Sequence, residues 1–179
     1  MAKQQKFQTV DVFTDHVFGG NPLAIFTDAR GISDADMQKI AAEMNYSETT
    51  FVLPPDDPGN AAKVRIFTPQ NEMPFAGHPN VGTGYLLASQ PDLIPGSTGD
   101  DLLIFEEMAG LVKILPNRNG ADVIDTISIT APQPITKGQT MPAGLVAAAV
   151  NLNLREIESG RIEPIVAGTG VPFAIAEVK

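Results

Sequence analysis

The segment 68–87, TPQNEMPFAGHPNVGTGYLL, constrains the fold of this chain more than any other. It follows an apolar strand pattern and passes through a polar turn into Gly77-His78-Pro79. Proline is favoured at the first position of a helix, where its missing N–H would have no partner. The segment therefore predicts a helix over 79–89, with His78 at or beside its N-cap.

This predicted helix start has the properties of an anion site. First-turn amides and the positive end of the helix dipole attract anions, and Gly77 allows a ligand to approach the backbone closely. The unperturbed pKa of histidine, about 6.5, is the side-chain value nearest neutrality. Gly82 and Gly84 are expected to keep the backbone bare around His78. The alternative is that His78 only caps the helix.

Apolar periodicity predicts an α+β fold with many strands and few helices. Ser33 as N-cap and apolar residues at helical spacing predict an amphipathic helix over 34–45. The runs 47–53 and 63–67, joined by a polar turn, predict a hairpin. The other predicted strands are 7–13, 23–26, 102–106, 111–115, 123–130, 163–167 and 172–178. This order argues against a βαβ winding.

The remaining segments are predicted from turn and linker composition. Residues 91–101 are rich in Pro, Gly, Ser and Asp and predict a loop, and 131–142 has the composition of a linker. A short helix is expected to open at Pro142, followed by a polar helix over 154–158.

Composition excludes several classes of function. The chain has 179 residues, of which 43% are hydrophobic and 18% charged, as in a globular protein with a core. A net charge of −9 argues against nucleic acid or an anionic membrane as partner. Without cysteine, a thiol nucleophile or a Cys-ligated metal is excluded, and two histidines without an HExxH motif make a catalytic zinc improbable.

No run approaches the roughly 18 apolar residues of a membrane span. The amino-terminal sequence MAKQQKF has no apolar signal core, so we expect a cytoplasmic protein.

Glu48 is a candidate general acid/base. It is the only acidic residue in the otherwise uncharged run 45–53. Apolar neighbours such as Phe51 and Val52 are expected to raise its pKa, which would suit proton transfer near neutral pH. The alternative places Glu48 on the solvent face of its strand. The sequence alone does not show whether Glu48 and His78 converge.

Asn21, in FGGNP, is a candidate for binding a substrate carboxylate, and a plain turn residue before proline is the alternative. The glycine cluster GHPNVGTG lacks the GK[ST] of a phosphate-binding loop and the spacing of GxGxxG. A nucleotide cofactor is therefore not expected.

A short internal similarity relates the two ends of the chain. The sequence GNPLAI, from Gly20, resembles GVPFAI, from Gly170, with Gly, Pro, Ala and Ile in register at an offset of 150 residues. Chance similarity is the alternative. If the repeat is real, the chain holds one complete lobe over 1–131 and the beginning of a second over 132–179.

Three ordered motifs, VDVFTDHVFGGNPLAIF, EMNYSETTFVL and RIFTPQNEMPFAGHPNVGTGYLL, resemble the PhzF-like proteins of phenazine biosynthesis, within the diaminopimelate-epimerase-like superfamily. The resemblance implies two lobes, each a mixed sheet wrapped around a central helix, with the active site between them. It implies isomerisation or epimerisation of a small carboxylic acid by proton transfer, without metal or cofactor.

Carried over by position, the resemblance makes Glu48 the catalytic acid/base, His78 the active-site histidine and Gly77 a backbone contact to substrate. Asn21 and Pro79 complete the candidate substrate-binding set. The expected ligand is a small anionic carboxylate, and the expected partner is a second copy or a missing second lobe.

The sequence departs from the family in one respect. The family also uses an aspartate and an Asp-x-Ala-Thr-Gly-Ser-Ala segment at the second central helix, which does not occur here. Two alternatives to an isomerase therefore stay open: an inactive lobe acting through protein contacts, and a module that binds a small anion without chemistry.

Overall fold

The computed structural model describes residues 4–93, 102–169 and 171–179. The chain divides into two compact units, Met1–Pro132 and Gln133–Lys179. The predicted loop 91–101 lies outside the described residues from position 94 onward, as does Gly170 of the predicted repeat. Within the described ranges, no helix is long and apolar enough to cross a membrane.

The first unit is a mixed sheet of eight strands with two α-helices. Its strands follow the order β1-β2-β3-β4-β6-β7-β8, and β5 pairs with β4 beside that path. The elements are β1 (Gln8–Val12), β2 (Asn21–Phe26), α1 (Asp34–Met44), β3 (Glu48–Leu53), β4 (Ala62–Phe67), β5 (Glu72–Met73), α2 (Gly77–Ser89), a 3-10 turn (Pro91–Leu93), β6 (Leu103–Glu107), β7 (Gly110–Arg118) and β8 (Ile124–Thr130).

The sheet confirms the predicted α+β class and the central helix. Helix α2 contacts β1, β2, β3, β7 and β8, so the sheet wraps around it. The argument against βαβ winding is wrong at two places. Strands β2 and β3 are parallel and joined through α1, and β4 and β6 are parallel and joined through α2. Strand order along the sequence does not reveal such crossovers.

The two faces of the sheet bury different helices, because side chains alternate along each strand. Leu23 and Ile25 of β2 belong to the core around α2. Phe26, next along the strand, packs instead with Phe51 and with Met37 of α1. The predicted α1 is confirmed with its caps: Ser33 accepts from the Asp36 N–H, and Asn45 ends the helix in a left-handed conformation.

Glycines let α2 lie unusually close to the sheet. A Cβ on Gly82 would stand 2.7 Å from side-chain atoms of Leu23 and Val12, and one on Gly84 would stand 2.5 Å from Ile114. These glycines therefore serve helix–sheet packing. They do not leave the backbone around His78 uncovered, which was the expectation from the sequence. One turn of α2 is also fixed by a buried hydrogen bond of 3.0 Å between the hydroxyls of Thr50 and Thr83.

The second unit contains five strands and one α-helix among its described residues. Sheets β12-β11-β9 and β10-β13 are antiparallel, and Val146, Ala147 and Ile157 form a small core. The elements are β9 (Thr136–Thr140), α3 (Ala143–Ala149), a 3-10 turn (Leu154–Glu156), β10 (Ile157–Glu158), β11 (Ile165–Gly168), β12 (Phe173–Ile175) and β13 (Glu177–Val178).

Three local predictions in this unit are wrong. The linker 131–142 contains β9, an edge strand whose side chains are all exposed and therefore lack an apolar pattern. The helix 154–158 is a single 3-10 turn, closed by a capping box between Asn153 and Glu156, and buried Ile157 then enters β10. The strand 172–178 is broken into β12 and β13, which pair with different strands.

The repeated pattern adopts the same local structure in both units. Leu23 lies in the second strand of an antiparallel hairpin, opposite Val10. Phe173, at the offset of 150 residues, also lies in the second strand of an antiparallel hairpin, opposite Ala167. The shared hairpin supports a repeat. That the second unit begins a second lobe remains a prediction.

Exchanging glycine for alanine in α2 and in α3 tests the close packing. Gly82→Ala should lower the free energy of unfolding by about 1–2 kcal/mol, since overpacking exceeds the gain in helix propensity. Gly144→Ala, where an added Cβ meets nothing within 4 Å, should not lower it. Urea denaturation of both variants measures the difference. Equal stability of the two variants would contradict close packing at Gly82.

Candidate active site

The start of α2 lies beside the starts of β2 and β3. The helix begins at Gly77 with Ala76 as N-cap, two residues earlier than predicted. His78 is therefore the second helical residue, and Pro79 is the third instead of the first. Pro79 still lies in the first turn, where a missing N–H costs nothing. The Ala76 side chain caps none of the first-turn amides.

Glu48 and His78 meet at this point. Glu48 is the first residue of β3, and its Oε2 lies 2.9 Å from Nδ1 of His78. The Glu48 side chain is 20% exposed and that of His78 is 9% exposed. The two candidate residues therefore converge in a largely buried contact at the edge of solvent. Glu48 does not project freely from its strand, and His78 does more than cap a helix.

Asn21 holds the other side of the histidine ring. Its backbone carbonyl lies 3.1 Å from Nε2 of His78. Its side-chain Oδ1 accepts a hydrogen bond of 3.0 Å from the Ser47 hydroxyl, next to Glu48 in the chain. Asn21 thus orients the catalytic candidates through its carbonyl. Its predicted contact with a substrate carboxylate stays a prediction.

These contacts favour one arrangement of protons on His78. A carbonyl oxygen only accepts hydrogen bonds, so the contact of Nε2 with Asn21 is a hydrogen bond when Nε2 carries hydrogen. The contact between Nδ1 and Glu48 then contains one proton, held either by the imidazolium beside a carboxylate or by a carboxylic acid beside neutral histidine. Glu48 and His78 therefore form a pair that shares a single proton.

The pKa of Glu48 is shifted opposite to expectation. The hydrogen bond from His78 holds it below the ordinary value of 4.5 and outweighs burial, which raises it. The predicted rise from apolar neighbours is therefore wrong, because the charged form has a directed donor. Glu48 rests as a carboxylate, the form that can accept a proton.

An exposed loop between β1 and β2 borders the pair. The Phe13 ring centroid lies 6.1 Å from that of His78, and the Phe13 side chain is among the exposed large hydrophobic groups. Phe13 and Phe18 both have φ of 63°, a conformation that is uncommon outside glycine. The Phe18 N–H donates to Asp11 Oδ2 at 2.7 Å.

Sequence reasoning missed Phe13 and Ser47 as site residues, although Ser47 directly precedes Glu48.

Across the described ranges, no group of three or more His, Cys, Asp or Glu side chains is arranged to hold a metal ion. The Glu48–His78 pair brings a carboxylate and an imidazole into contact, two groups that can take up and release a proton.

Comparisons with known proteins give this geometry a context. The family model described as "Phenazine biosynthesis-like protein" (PhzC-PhzF) matches residues 10–179. An uncharacterized isomerase of Mesorhizobium japonicum is 38% identical over 94% of this chain and 54% of its own length. The trans-2,3-dihydro-3-hydroxyanthranilate isomerase of Pseudomonas aeruginosa is 39% identical over 80% of this chain and 48% of its own length.

Solved structures agree with the fold. A phenazine biosynthesis protein of the PhzF family from Bacillus anthracis superposes with a TM-score of 0.81 at 27% identity, over 99% of this chain and 57% of that one. A hydroxyproline epimerase of Agrobacterium vitis, at 13% identity and a TM-score of 0.58 over 88% of this chain and 48% of that one, shares the fold alone.

The chain spans about half the length of the curated relatives it matches. The match nevertheless runs through both units, and the pair formed by Glu48 and His78 lies within it. This chain belongs to the phenazine biosynthesis-like (PhzC-PhzF) family.

Proposed function

We propose that this chain forms the amino-terminal part of a cofactor-independent isomerase that moves a proton on a small carboxylic acid. The observation that carries the proposal is the contact of 2.9 Å between Glu48 Oε2 and His78 Nδ1, with Nε2 held by Asn21 O. The isomerases among the relatives support the reaction class.

Glu48 performs the proton transfer in this proposal. Its carboxylate takes a proton from an acidic C–H of the substrate, and the electron pair moves into the conjugated system of the substrate. Glu48 then returns the proton to another carbon on the same face of the substrate. Nothing is oxidised or reduced, and the enzyme ends in its starting protonation state. Because Oε2 contacts His78, Oε1 is the oxygen assigned to the substrate.

His78 acts on Glu48 in this proposal and does not bind the substrate carboxylate. Both of its ring nitrogens are engaged, one with Glu48 and one with Asn21, so the ring would lose a contact by binding the substrate carboxylate. We assign the carboxylate to the amides of Gly77 and His78 at the start of α2, where Pro79 contributes no N–H. His78 orients Glu48 and stabilises its ionised form.

In this proposal a second lobe completes the site, either on the same polypeptide or on another copy. The proposed location of the protein is the cytoplasm. The chain spans about half the length of its curated relatives. Because the chain spans only about half of that length, one alternative is a lobe that binds a small carboxylate without catalysing a reaction. The two functions differ in whether substrate hydrogen exchanges with solvent.

Hydrogen exchange with Glu48→Gln tests the proposal. The probe is trans-2,3-dihydro-3-hydroxyanthranilate in D₂O, with deuterium uptake followed by mass spectrometry. Uptake should fall by about 10²–10⁴-fold in the variant, the usual contribution of a general acid/base. Glu43→Gln, a matched change at an exposed position of α1, should retain uptake. Equal uptake by Glu48→Gln and wild type would refute the role of Glu48, and binding without uptake in wild type would support the alternative.

The effect of His78 on Glu48 is tested by His78→Phe, which keeps a ring but removes the donor. Burial then becomes the largest remaining influence on the pKa of Glu48, so this pKa should rise above 4.5. A ¹³C NMR titration of the Glu48 carboxyl measures it. The same change at exposed His16 should leave the Glu48 titration as in wild type. An unaltered pKa in His78→Phe would show that the pair is not coupled.

A further inference from the structure

Glu107 is a buried carboxyl group outside the proposed reaction. It ends β6, on the face of the strand that carries Leu103 and Phe105 into the core around α2. Neither of its carboxyl oxygens is accessible to solvent or has a hydrogen-bond partner among the described residues. An unpaired carboxylate in such a place is costly, and buried acids respond by retaining their proton.

Asn80, in the first turn of α2, is a second buried residue with a polar atom that lacks a partner among the described residues. It is fully buried, and its Oδ1 also lacks a donor among the described residues. Its Nδ2 donates to the Ala76 carbonyl at 2.9 Å, which leaves Oδ1 as the free end of the amide. The Asn80 side chain interacts with the Glu107 carboxyl group. A carboxylic acid O–H can donate to an amide oxygen, so one proton on Glu107 would give both unpaired groups a partner.

We propose that Glu107 is protonated in the folded chain, that its O–H donates to Asn80 Oδ1, and that Glu107 is a positioning residue for the start of α2. The connection runs from Glu107 through Asn80 to the carbonyl of Ala76, the N-cap residue, and His78 lies two residues beyond that cap. A second contact ties the same parts together, since the Ala109 N–H donates to Pro74 O at 3.0 Å.

The electrostatic surroundings agree with a protonated group. Burial is the largest influence on the Glu107 carboxyl and raises its pKa to about 8. The basic side chains of β4, β7 and α2 pair with other groups or are exposed: Lys63 with Asp56, Arg65 with Glu72, His78 with Glu48, Arg118 with Asp122, and Lys113 exposed on β7.

The neighbouring Glu106 shows the contrast. Its carboxylate, on the opposite face of β6, accepts hydrogen bonds from the N–H groups of Asp56 and Asp57 and from the Asn60 amide. Its pKa lies below the ordinary value of 4.5, because these donors outweigh burial. Adjacent residues on one strand thus favour opposite protonation states, which provides a matched control.

Protonated Glu107 has a defined effect on stability. Its folded pKa exceeds the unfolded value of 4.5, so the folded chain binds more protons between these values, and stability falls as pH rises from 4.5 toward 8. The unfolding equilibrium constant of wild type should increase about tenfold per pH unit relative to Glu107→Gln in this window, since one proton is linked to folding. Denaturation at pH 5, 6 and 7 measures this.

The positioning role is read from the His78 ring signals in ¹⁵N NMR. Glu107→Gln places a neutral N–H donor opposite Asn80, so its His78 signals should match those of wild type at pH 6 and differ from them at pH 9. Glu107→Ala should differ from wild type already at pH 6, and Glu106→Gln should match wild type at both pH values. This role does not depend on isomerase activity, because no substrate enters the experiment.

Two results would overturn the proposal. If the stability of Glu107→Gln follows the wild-type pH dependence in parallel between pH 5 and 7, Glu107 is ionised in the folded chain. If the His78 signals of Glu107→Gln and wild type respond alike between pH 6 and 9, Glu107 does not position the start of α2. Both readings use Glu107→Gln, so they stand even if Glu107→Ala fails to fold.

Discussion

The close approach of α2 to the sheet governs the rest of the first unit. At Gly82 the side chains of Leu23 and Val12 pack against the helix backbone, and at Gly84 the side chain of Ile114 packs against it from the opposite side. A helix held this closely between strands has little freedom to rotate or slide, because protein interiors are packed without spare volume. Its first turn is consequently fixed beside the starts of β2 and β3, and the candidate active site forms there.

The site depends on one proton held between two side chains. Hydrogen on Nε2 of His78 satisfies the Asn21 carbonyl and leaves Nδ1 for Glu48. This makes Glu48 a weak base at rest, with its pKa lowered by the ring. A weak base that returns its proton is suited to moving hydrogen on an already acidic carbon, where a stronger base is unnecessary. The start of α2 supplies a positive environment, which would hold the substrate anion in the proposed reaction.

Much of the first unit was predictable because local patterns and tertiary packing agree. The spacing of Met37 and Ala41 predicted α1, and β-branched runs predicted the central strands. The motif around His78 located the site, although the helix starts at Gly77. Predictions failed where long-range contacts decide: strand β9 has no apolar pattern, and the pKa of Glu48 depends on a residue 30 positions away. Glu107 was missed because burial of a single carboxyl leaves no sequence signal.

The tautomer of His78 tests the account most directly. ¹⁵N NMR of the histidine ring distinguishes a nitrogen that carries hydrogen from one with a free lone pair. The account predicts that Nε2 carries hydrogen, because the Asn21 carbonyl accepts from it. A free lone pair on Nε2, with hydrogen on Nδ1 alone, would contradict the shared proton and the mechanism built on it.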